Sequence, residues 1–321
     1  MRVLVTGASG MLGGAVATAL AQRGDDVVLM QRRPSGLGLP ERLGDLRDAT
    51  AVRAGVEGME GVIHLAAKVN VVGAWADYLA ANVEGTRTLI AEARAAGVSR
   101  FVQVSSPSVA HSGRSLVAAP AGPASASSAR GSYSRSKAMA EEVALAAHAP
   151  GFAVVAVRPH LVWGPGDTQL VARIVERGRS GRLALVGRGA ALIDTTYVDN
   201  AADALVAALD AAPAAGGAAY VVSNGEPRPV AEILGAICTA AGVPGPRLRV
   251  PFPVAWAAGA AIDSAWSWRG RETDPPMTRF LAEQLATAHW FDQRRTRAAL
   301  GWEPRVSLDE GFGRLAASYH P

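Results

Sequence analysis

A short apolar strand that runs straight into a glycine loop and then a helix constrains this chain more than any other feature. Val3-Leu4-Val5 leads into Thr6-Gly7-Ala8-Ser9-Gly10-Met11-Leu12-Gly13, and an Ala/Val/Leu-rich stretch continues to about Arg23. In such a unit Gly7 permits the tight turn, Gly10 lets the backbone approach a pyrophosphate, and Gly13 lets the helix pack closely on the strand. The free N–H groups at the helix start, around Ser9, Met11 and Leu12, then face the anion. A lone glycine pattern is weak evidence, but a second strand at Asp26-Val27-Val28-Leu29-Met30-Gln31 supplies the context it needs. Together these residues specify a βαβ unit that binds a dinucleotide.

The end of the second strand bears on which dinucleotide. A carboxylate there accepts from the ribose 2′-hydroxyl of NAD. This chain has Gln31-Arg32-Arg33 instead, which removes the repulsive charge and adds two guanidiniums able to fork onto a 2′-phosphate. NADP(H) is the preferred cofactor on these residues, with NAD(H) as the alternative. Arg32 and Arg33 as plain surface arginines of an arginine-rich chain would look the same.

Composition narrows the class. The 321 residues are 49% hydrophobic, enough for one large core with a smaller appended lobe. A formal charge of +4 comes from scattered arginines without a basic block or an aromatic-interleaved stripe, so nucleic acid is not an expected partner. Cys238 stands alone and cannot form an internal disulfide; no signal-peptide pattern precedes the first strand, and no apolar run reaches spanning length. A cytoplasmic protein with no membrane span is the expectation. No metal site is assigned, and a homodimer is compatible with everything above.

Strand and helix patterns alternate through the first half. Gly61–Ala66 reads as a strand, Asn82–Ala96 as a helix, Phe101–Ser106 as a strand, Tyr133–Ala147 as a helix and Ala153–Val157 as a strand. Strands this apolar require cover on both faces, which predicts a doubly wound parallel sheet of the Rossmann type, with ligands at its carboxyl edge. Between Ser112 and Ser132 the Ala/Pro/Ser/Gly composition reads as a long loop, either a lid or a plain insertion. A strand near 219–223 is expected to rejoin the sheet. The expected division is a Rossmann domain over 1–160 plus about 194–224, and a smaller, mainly helical C-terminal substrate lobe over about 161–193 and 225–321.

Tyr133-Ser134-Arg135-Ser136-Lys137 holds one of only two lysines in the chain, the other being Lys68. Helical spacing stacks the phenol and the ammonium on one face. A lysine so placed can hydrogen-bond a ribose and lower a neighbouring phenol's pKa. The same spacing also fits an exposed polar pair, so the companions matter. Thr6-Gly7-x-x-Gly10-x-x-Gly13, Asp45-Leu46, His64-Leu65-Ala66-Ala67, Asn82, Ser105-Ser106, Tyr133-x-x-x-Lys137 and Arg158-Pro159 occur in an order and spacing that resembles the extended short-chain dehydrogenase/reductases. The resemblance covers more than half the chain. It implies catalytic roles for Ser106, Tyr133 and Lys137, adenine contacts for Asp45 and Leu46, and nicotinamide-side contacts for Ala66, Pro159 and Leu161, with Ala67 and Lys68 beside them. Lys68, just past the third strand, is also a candidate partner for a substrate carboxylate. His64 reads as a satisfied buried histidine, His160 as a candidate for the site lining, and Asn82 as a helix cap.

Finer likenesses follow. Ala66-Ala67-Lys68-Val69, Trp163-Gly164-Pro165-Gly166-Asp167, Asp194-Thr195-Thr196-Tyr197-Val198-Asp199-Asn200, His289-Trp290-Phe291-Asp292 and Leu300-Gly301-Trp302-x-Pro304 resemble the 3β-hydroxysteroid dehydrogenase branch, and within it bacterial reductases of 2-alkyl-3-oxo acids. The branch implies interconversion of a ketone and a secondary alcohol on a bulky apolar substrate that can bear a carboxylate. Val250–Trp268, apolar and aromatic but broken by Asp263, suits a hydrophobic pocket wall, an interfacial helix or a core helix. Two competing functions share the fold: an NAD-dependent nucleotide-sugar epimerase, and an NADP-sensing regulator without turnover. Gln31-Arg32-Arg33 fits the first poorly, and the intact Tyr133/Lys137 pair fits the second poorly.

Overall fold

Alternating side chains on the apolar strands set the architecture. The computed structural model describes residues 1–69, 73–110, 114–269 and 278–320, with the side chains of 267–269 outside that description. In the first half come β1 (Arg2–Thr6), α1 (Met11–Gln22), β2 (Asp26–Gln31), β3 (Glu41–Leu43), α2 (Ala49–Val56), β4 (Gly61–His64), α3 (Trp75–Tyr78), a π-helical stretch (Leu79–Glu84), α4 (Gly85–Ala95), β5 (Arg100–Val104), β6 (Leu116–Ala119), α5 (Gly131–Ala146) and β7 (Ala153–Pro159). The second half adds β8 (Val162–Trp163), α6 (Leu170–Arg179), β9 (Ala184–Val186), β10 (Leu192–Ile193), β11 (Thr196–Tyr197), α7 (Val198–Ala215), β12 (Ala218–Val222), β13 (Arg228–Pro229), α8 (Val230–Ala240), β14 (Leu248–Val250), α9 (Phe252–Arg269), α10 (Arg279–Ala286), β15 (His289–Phe291), α11 (Arg294–Leu300) and α12 (Leu308–Tyr319).

Seven strands form one parallel sheet in the order β12-β7-β5-β4-β1-β2-β3. Successive side chains point to opposite faces. Val3, Val5 and Leu29 therefore pack with Val16, Leu20 and the alanine- and leucine-rich face of α7, including Leu205 and Leu209. Leu4, Val28 and Phe101 pack on the other side with Val52 and Val56 of α2 and Leu89 of α4. Each fully buried Val or Leu contributes about 1.5–3 kcal/mol. A parallel Rossmann-type sheet covered on both faces is what the alternating apolar runs predicted.

A further apolar cluster, including Trp163, Ile174, Ile233 and Leu308, gathers α6, α8 and α12 beside the sheet's carboxyl edge. Small sheets accompany it, β13-β10-β15-β6 and β14-β9. Asn200 ties this region to the tail: its Oδ1 accepts from the Arg305 and Val306 backbones at 2.9 and 3.0 Å, and its Nδ2 donates to the Val306 carbonyl at 2.7 Å.

Two elements differ from the sequence expectation. The stretch expected to be a long loop contains β6, because Leu116–Ala119 pairs in parallel with β15. The loop's expected start at Ser112 lies outside the described residues. The helix expected from Asn82 begins earlier and passes through π geometry over Leu79–Glu84, with Asn82 inside it and not at a cap. No helix among the described residues is long and apolar enough to cross a membrane.

Candidate active site

The glycine loop forms the floor of the site. Gly7 has φ +79°, a conformation that side chains rarely adopt, and a Cβ there would press on Ala66 N at 2.7 Å. A Cβ on Gly13 would overlap the Gly7 carbonyl oxygen, so the α1 start and the loop touch backbone to backbone. Gly10 is different: nothing of the chain comes closer than 3.6 Å to its Cβ position, so the chain's own packing does not demand a glycine there. Space for an approaching ligand does. Gly10 is the N-cap of α1, makes no side-chain cap, and is followed by a first turn without acidic residues. The donors at this helix end are therefore left open to an anion, and the cradle suits a pyrophosphate.

Gln31 lies at the carboxyl end of β2, buried, its Nε2 donating to Glu41 Oε1 at 3.2 Å. Arg32 and Arg33 next to it are exposed. The Ser35 backbone also donates to Glu41 Oε1, at 2.9 Å, so Glu41 orders this corner. Asp45 is held well below the usual carboxylate range, at about 2, first by Arg47 and with a contribution from Arg32. The Arg47 guanidinium reaches its two oxygens at 2.9 and 2.7 Å. Leu46 packs over Gly85. Gln31, Arg32, Arg33, Asp45, Leu46 and the exposed Ser9 all lie off the border of the central cavity.

That cavity, of about 660 Å³, is bordered by Gly7, Gly10, Met11, Leu12 and Gly13 on one side and by Ser106, Tyr133, Lys137, Pro159 and Leu161 on another. Ala67 also borders it, and Ala66 lies beneath Gly7. Ser106 lies two residues past the end of β5, and Tyr133 and Lys137 rise from the first turns of α5. Burial raises the Tyr133 phenol, and a hydrogen bond with Ser106 pulls it back down. Lys137, 4% exposed, donates from Nζ to the Val104 carbonyl at 2.6 Å. Burial pushes its ammonium down to about 8, opposed by the charge of Glu141. On the protein's own groups Tyr133 is thus kept as a neutral phenol beside a hydroxyl partner, the form that can donate a proton.

Behind these groups runs a buried polar chain. The Ala66 backbone donates to Thr6 Oγ1 at 3.2 Å, and Thr6 Oγ1 lies 2.7 Å from His64 Nδ1. Thr86 Oγ1 donates to the Asn82 carbonyl at 2.7 Å and therefore accepts from His64 Nε2 at 3.0 Å. Burial, then the charge of Lys137, lowers His64 to about 3, so it stays neutral with its proton on Nε2. Asn82 Nδ2 continues to Ser136 Oγ at 2.9 Å, and Ser136 Oγ to the Tyr133 carbonyl at 2.8 Å. His64 is the satisfied core histidine expected from its strand. Asn82 also accepts from the Lys68 backbone at 2.6 Å. The Lys68 side chain turns elsewhere, to Asp77 at 3.2 Å and over the Tyr78 ring at 5.4 Å, and does not border the cavity.

The remaining wall is mostly apolar. Leu116 of β6, Phe280, Leu281 and Leu285 of α10, and Phe291 of β15 face it, while α9 contributes none of the described wall. Phe252 and Val254 of α9 are exposed, Trp256 is partly exposed with its Nε1 on Glu283, and Ala255 packs on Ala282 of α10; the Trp268 side chain lies outside the described residues. Sequence reasoning also passed over Ser108, whose Oγ donates to Ser106 Oγ at 3.0 Å, and His289 as a wall residue. Ser108 had a local signal, one turn from Ser106. His289 was visible only as part of the His289–Asp292 segment, since it is the pairing of β15 with β10 and β6 that brings it here.

Comparison with known proteins follows the same outline. Residues 3–223 match the model of the NAD dependent epimerase/dehydratase family. The chain is 42% identical to the 2-alkyl-3-oxoalkanoate reductase of Stenotrophomonas maltophilia over 99% of both chains. It is 31% identical to the 3 beta-hydroxysteroid dehydrogenase/Delta 5→4-isomerase of Mycobacterium tuberculosis over 99% of this chain and 90% of that one. Among solved structures it resembles MoeE5 in complex with UDP-glucose and NAD, with a TM-score of 0.75, 25% identity and coverage of 100% and 99% of the two chains.

Proposed function

The chain belongs to the NAD dependent epimerase/dehydratase family, and from that premise we propose that it is an NADP(H)-dependent reductase that interconverts a ketone and a secondary alcohol on a bulky apolar substrate, a 3-oxo acid or 3β-hydroxysteroid-like molecule. NAD(P)-dependent oxidoreduction is the part carried by the family and by the relatives named as reductase and dehydrogenase. The observation that carries the finer reading is the meeting of Ser106, Tyr133 and Lys137 with the glycine loop at one apolar cavity. The cofactor, when bound, supplies or accepts the hydride. Gly7, Gly10 and Gly13 hold its pyrophosphate, Arg32 and Arg33 take the 2′-phosphate, and Lys137 donates to its ribose.

The chain's own chemistry is proton delivery. As negative charge develops on the carbonyl oxygen, the Tyr133 phenol donates its proton there and Ser106 donates a second hydrogen bond to the same atom. Ser108 fixes the Ser106 hydroxyl. Burial keeps the phenol protonated until that moment. The apolar wall accepts alkyl chains and excludes water from the reacting carbonyl.

Following NADPH oxidation across 2-alkyl-3-oxo acids, ketosteroids, aromatic ketones and UDP-sugars tests this. Turnover of the apolar ketones is expected, with Tyr133→Phe lowering kcat by about 10²- to 10⁴-fold while leaving NADPH affinity largely unchanged. Full activity in Tyr133→Phe overturns the assigned role. Turnover of UDP-sugars alone overturns the substrate class, and tighter binding of NAD than of NADP overturns the reading of Arg32 and Arg33.

A further inference from the structure

The residues that end β2 include no acid, yet the fold returns a carboxylate to that corner from the neighbouring strand. β3 pairs in parallel with β2, with Glu41 opposite Leu29, so Glu41 and Gln31 share one face of the sheet. Glu41 Oε1 there gathers three donors: the Ser35 backbone at 2.9 Å, the Ser35 hydroxyl, and Gln31 Nε2 at 3.2 Å. None of the three is charged. Neutral donors converging on a single oxygen make an anion site, and hydrogen bonds to an ionised acceptor are the strong ones. The Ser35 hydroxyl, then the Ser35 backbone, hold the Glu41 carboxyl below its usual range, so the site's occupant is an anion at neutral pH.

This corner adjoins the pyrophosphate cradle. Ser35 Oγ accepts from the Leu37 backbone at 3.1 Å, and the Leu37 methyls lie 3.9 Å from the Cβ position of Gly14 in the first turn of α1. A dinucleotide with its pyrophosphate on that turn and its adenosine ribose at the end of β2 brings the ribose 2′ substituent to residues 31–35. In NADH that substituent is a hydroxyl; in NADPH it is a phosphate.

Other charges at the corner are engaged. Asp45 is held by Arg47 at 2.9 and 2.7 Å, with the charge of Arg32 contributing. Arg42 of β3 turns away to the Gly55 and Glu57 carbonyls at 3.1 and 3.3 Å. Arg32 and Arg33 are exposed beside Gln31.

We propose that Glu41 sets the cofactor preference as an internal rival of the 2′-phosphate, its carboxylate occupying the Ser35 and Gln31 donors and opposing a second anion beside them. This deepens the NADP(H) reading and rests on it. The two arginines favour NADPH, Glu41 holds that preference down, and NADH is used as well.

The test measures the Kd of NADPH and of NADH by fluorescence titration of the full chain. Glu41→Gln keeps an oxygen for Ser35 and removes only the charge. It is expected to tighten NADPH by about three- to tenfold and to leave NADH nearly unchanged. The gain should shrink as salt rises from about 0.05 to about 0.5 M, because screening shortens the reach of an exposed charge. Ser35→Ala added to Glu41→Gln should lose part of the gain, since the freed donors are gone. Competition by adenosine 2′,5′-bisphosphate and by 5′-AMP gives a second measurement: only the bisphosphate is expected to bind Glu41→Gln more tightly than wild type. NADH binding reports that each variant is folded. A wild type that prefers NADPH, with an unmoved NADPH/NADH ratio in Glu41→Gln or equal tightening of both cofactors, overturns the proposal alone. A wild type that binds NADH more tightly, with no loss of NADPH affinity in Arg32→Ala, overturns the NADP(H) reading beneath it.

Discussion

Lys137 shows how one residue's environment sets a pH response. Burial lowers its pKa to about 8 and the Glu141 charge holds it up, so the ammonium is present below about pH 8 and is lost as pH rises through that value. On the proposed reading, its donation to the cofactor ribose is lost with it. NADPH affinity is therefore expected to be flat at lower pH and to weaken above about pH 8, by at most about tenfold per pH unit for a single proton. Fluorescence titration across that range checks this: Lys137→Met should bind weakly with no edge near pH 8, and an identical edge in the variant would remove Lys137 from the role. Tyr133 and Lys137 were legible in sequence because both sit on one helix, where spacing decides their meeting. Their acidity was not. The phenol, expected to be acidified by the lysine, is raised by burial, and Lys137 is itself depressed, because burial depends on what packs around α5 and no local pattern reports it.

Elements are joined by buried charge as well as by apolar packing. Arg158 of β7 is fully buried and donates to Glu141 of α5 through Nε at 2.9 Å and Nη2 at 2.5 Å, and its Nη1 reaches the Ala121 and Gly122 carbonyls. One guanidinium thus fixes the helix that carries Tyr133, the sheet and the loop entering that helix. Removing one partner leaves a buried charge unpaired, which costs about 3–5 kcal/mol. Glu141→Gln is expected to lose that much in urea unfolding and to move the Lys137 edge below about pH 8, since Glu141 is the group that raises it. A variant as stable as wild type, with an unmoved edge, would show that the pair neither braces α5 nor tunes Lys137. At this scale β1, α1, β2, β4, β5 and β7 were legible because their apolar runs and glycines are local. β6 was not, since Leu116–Ala119 becomes a strand only through pairing with β15, and its Ala/Pro-rich surroundings signal a loop. The Asp194–Asn200 motif was visible, but its work, pinning the 223–226 turn and the 305–306 tail, appears only in three dimensions.

Across the whole molecule, the cavity depends on how the segment bearing α10 is held against the sheet edge. Arg130, the N-cap of the helix that carries Tyr133, donates through Nη1 to both oxygens of Glu283, at 2.6 and 2.5 Å. Trp256 of α9 donates to the same carboxylate at 3.1 Å. Glu283 is buried, whereas the Arg130 side chain is 43% exposed. Phe280, Leu281, Gln284 and Leu285 line the cavity from the helix that this contact anchors. The pair therefore couples the placement of the apolar wall to the placement of Tyr133, the proposed proton donor. Because solvent screens the arginine, its loss is worth about 1 kcal/mol, or about a fivefold change in an equilibrium. Arg130→Ala is expected to raise the KM for the apolar ketone by about that factor with little change in NADPH affinity, since the glycine loop is held by β1 and α1 and not by α10. Glu283→Ala also removes the Trp256 bond and should act at least as strongly, and the double variant should be no worse than Glu283→Ala alone, because the Arg130 contact is already lost there. Additive losses in the double variant, or a matching loss of NADPH affinity, would mean that the two residues act separately and that α10 is placed by its apolar packing alone.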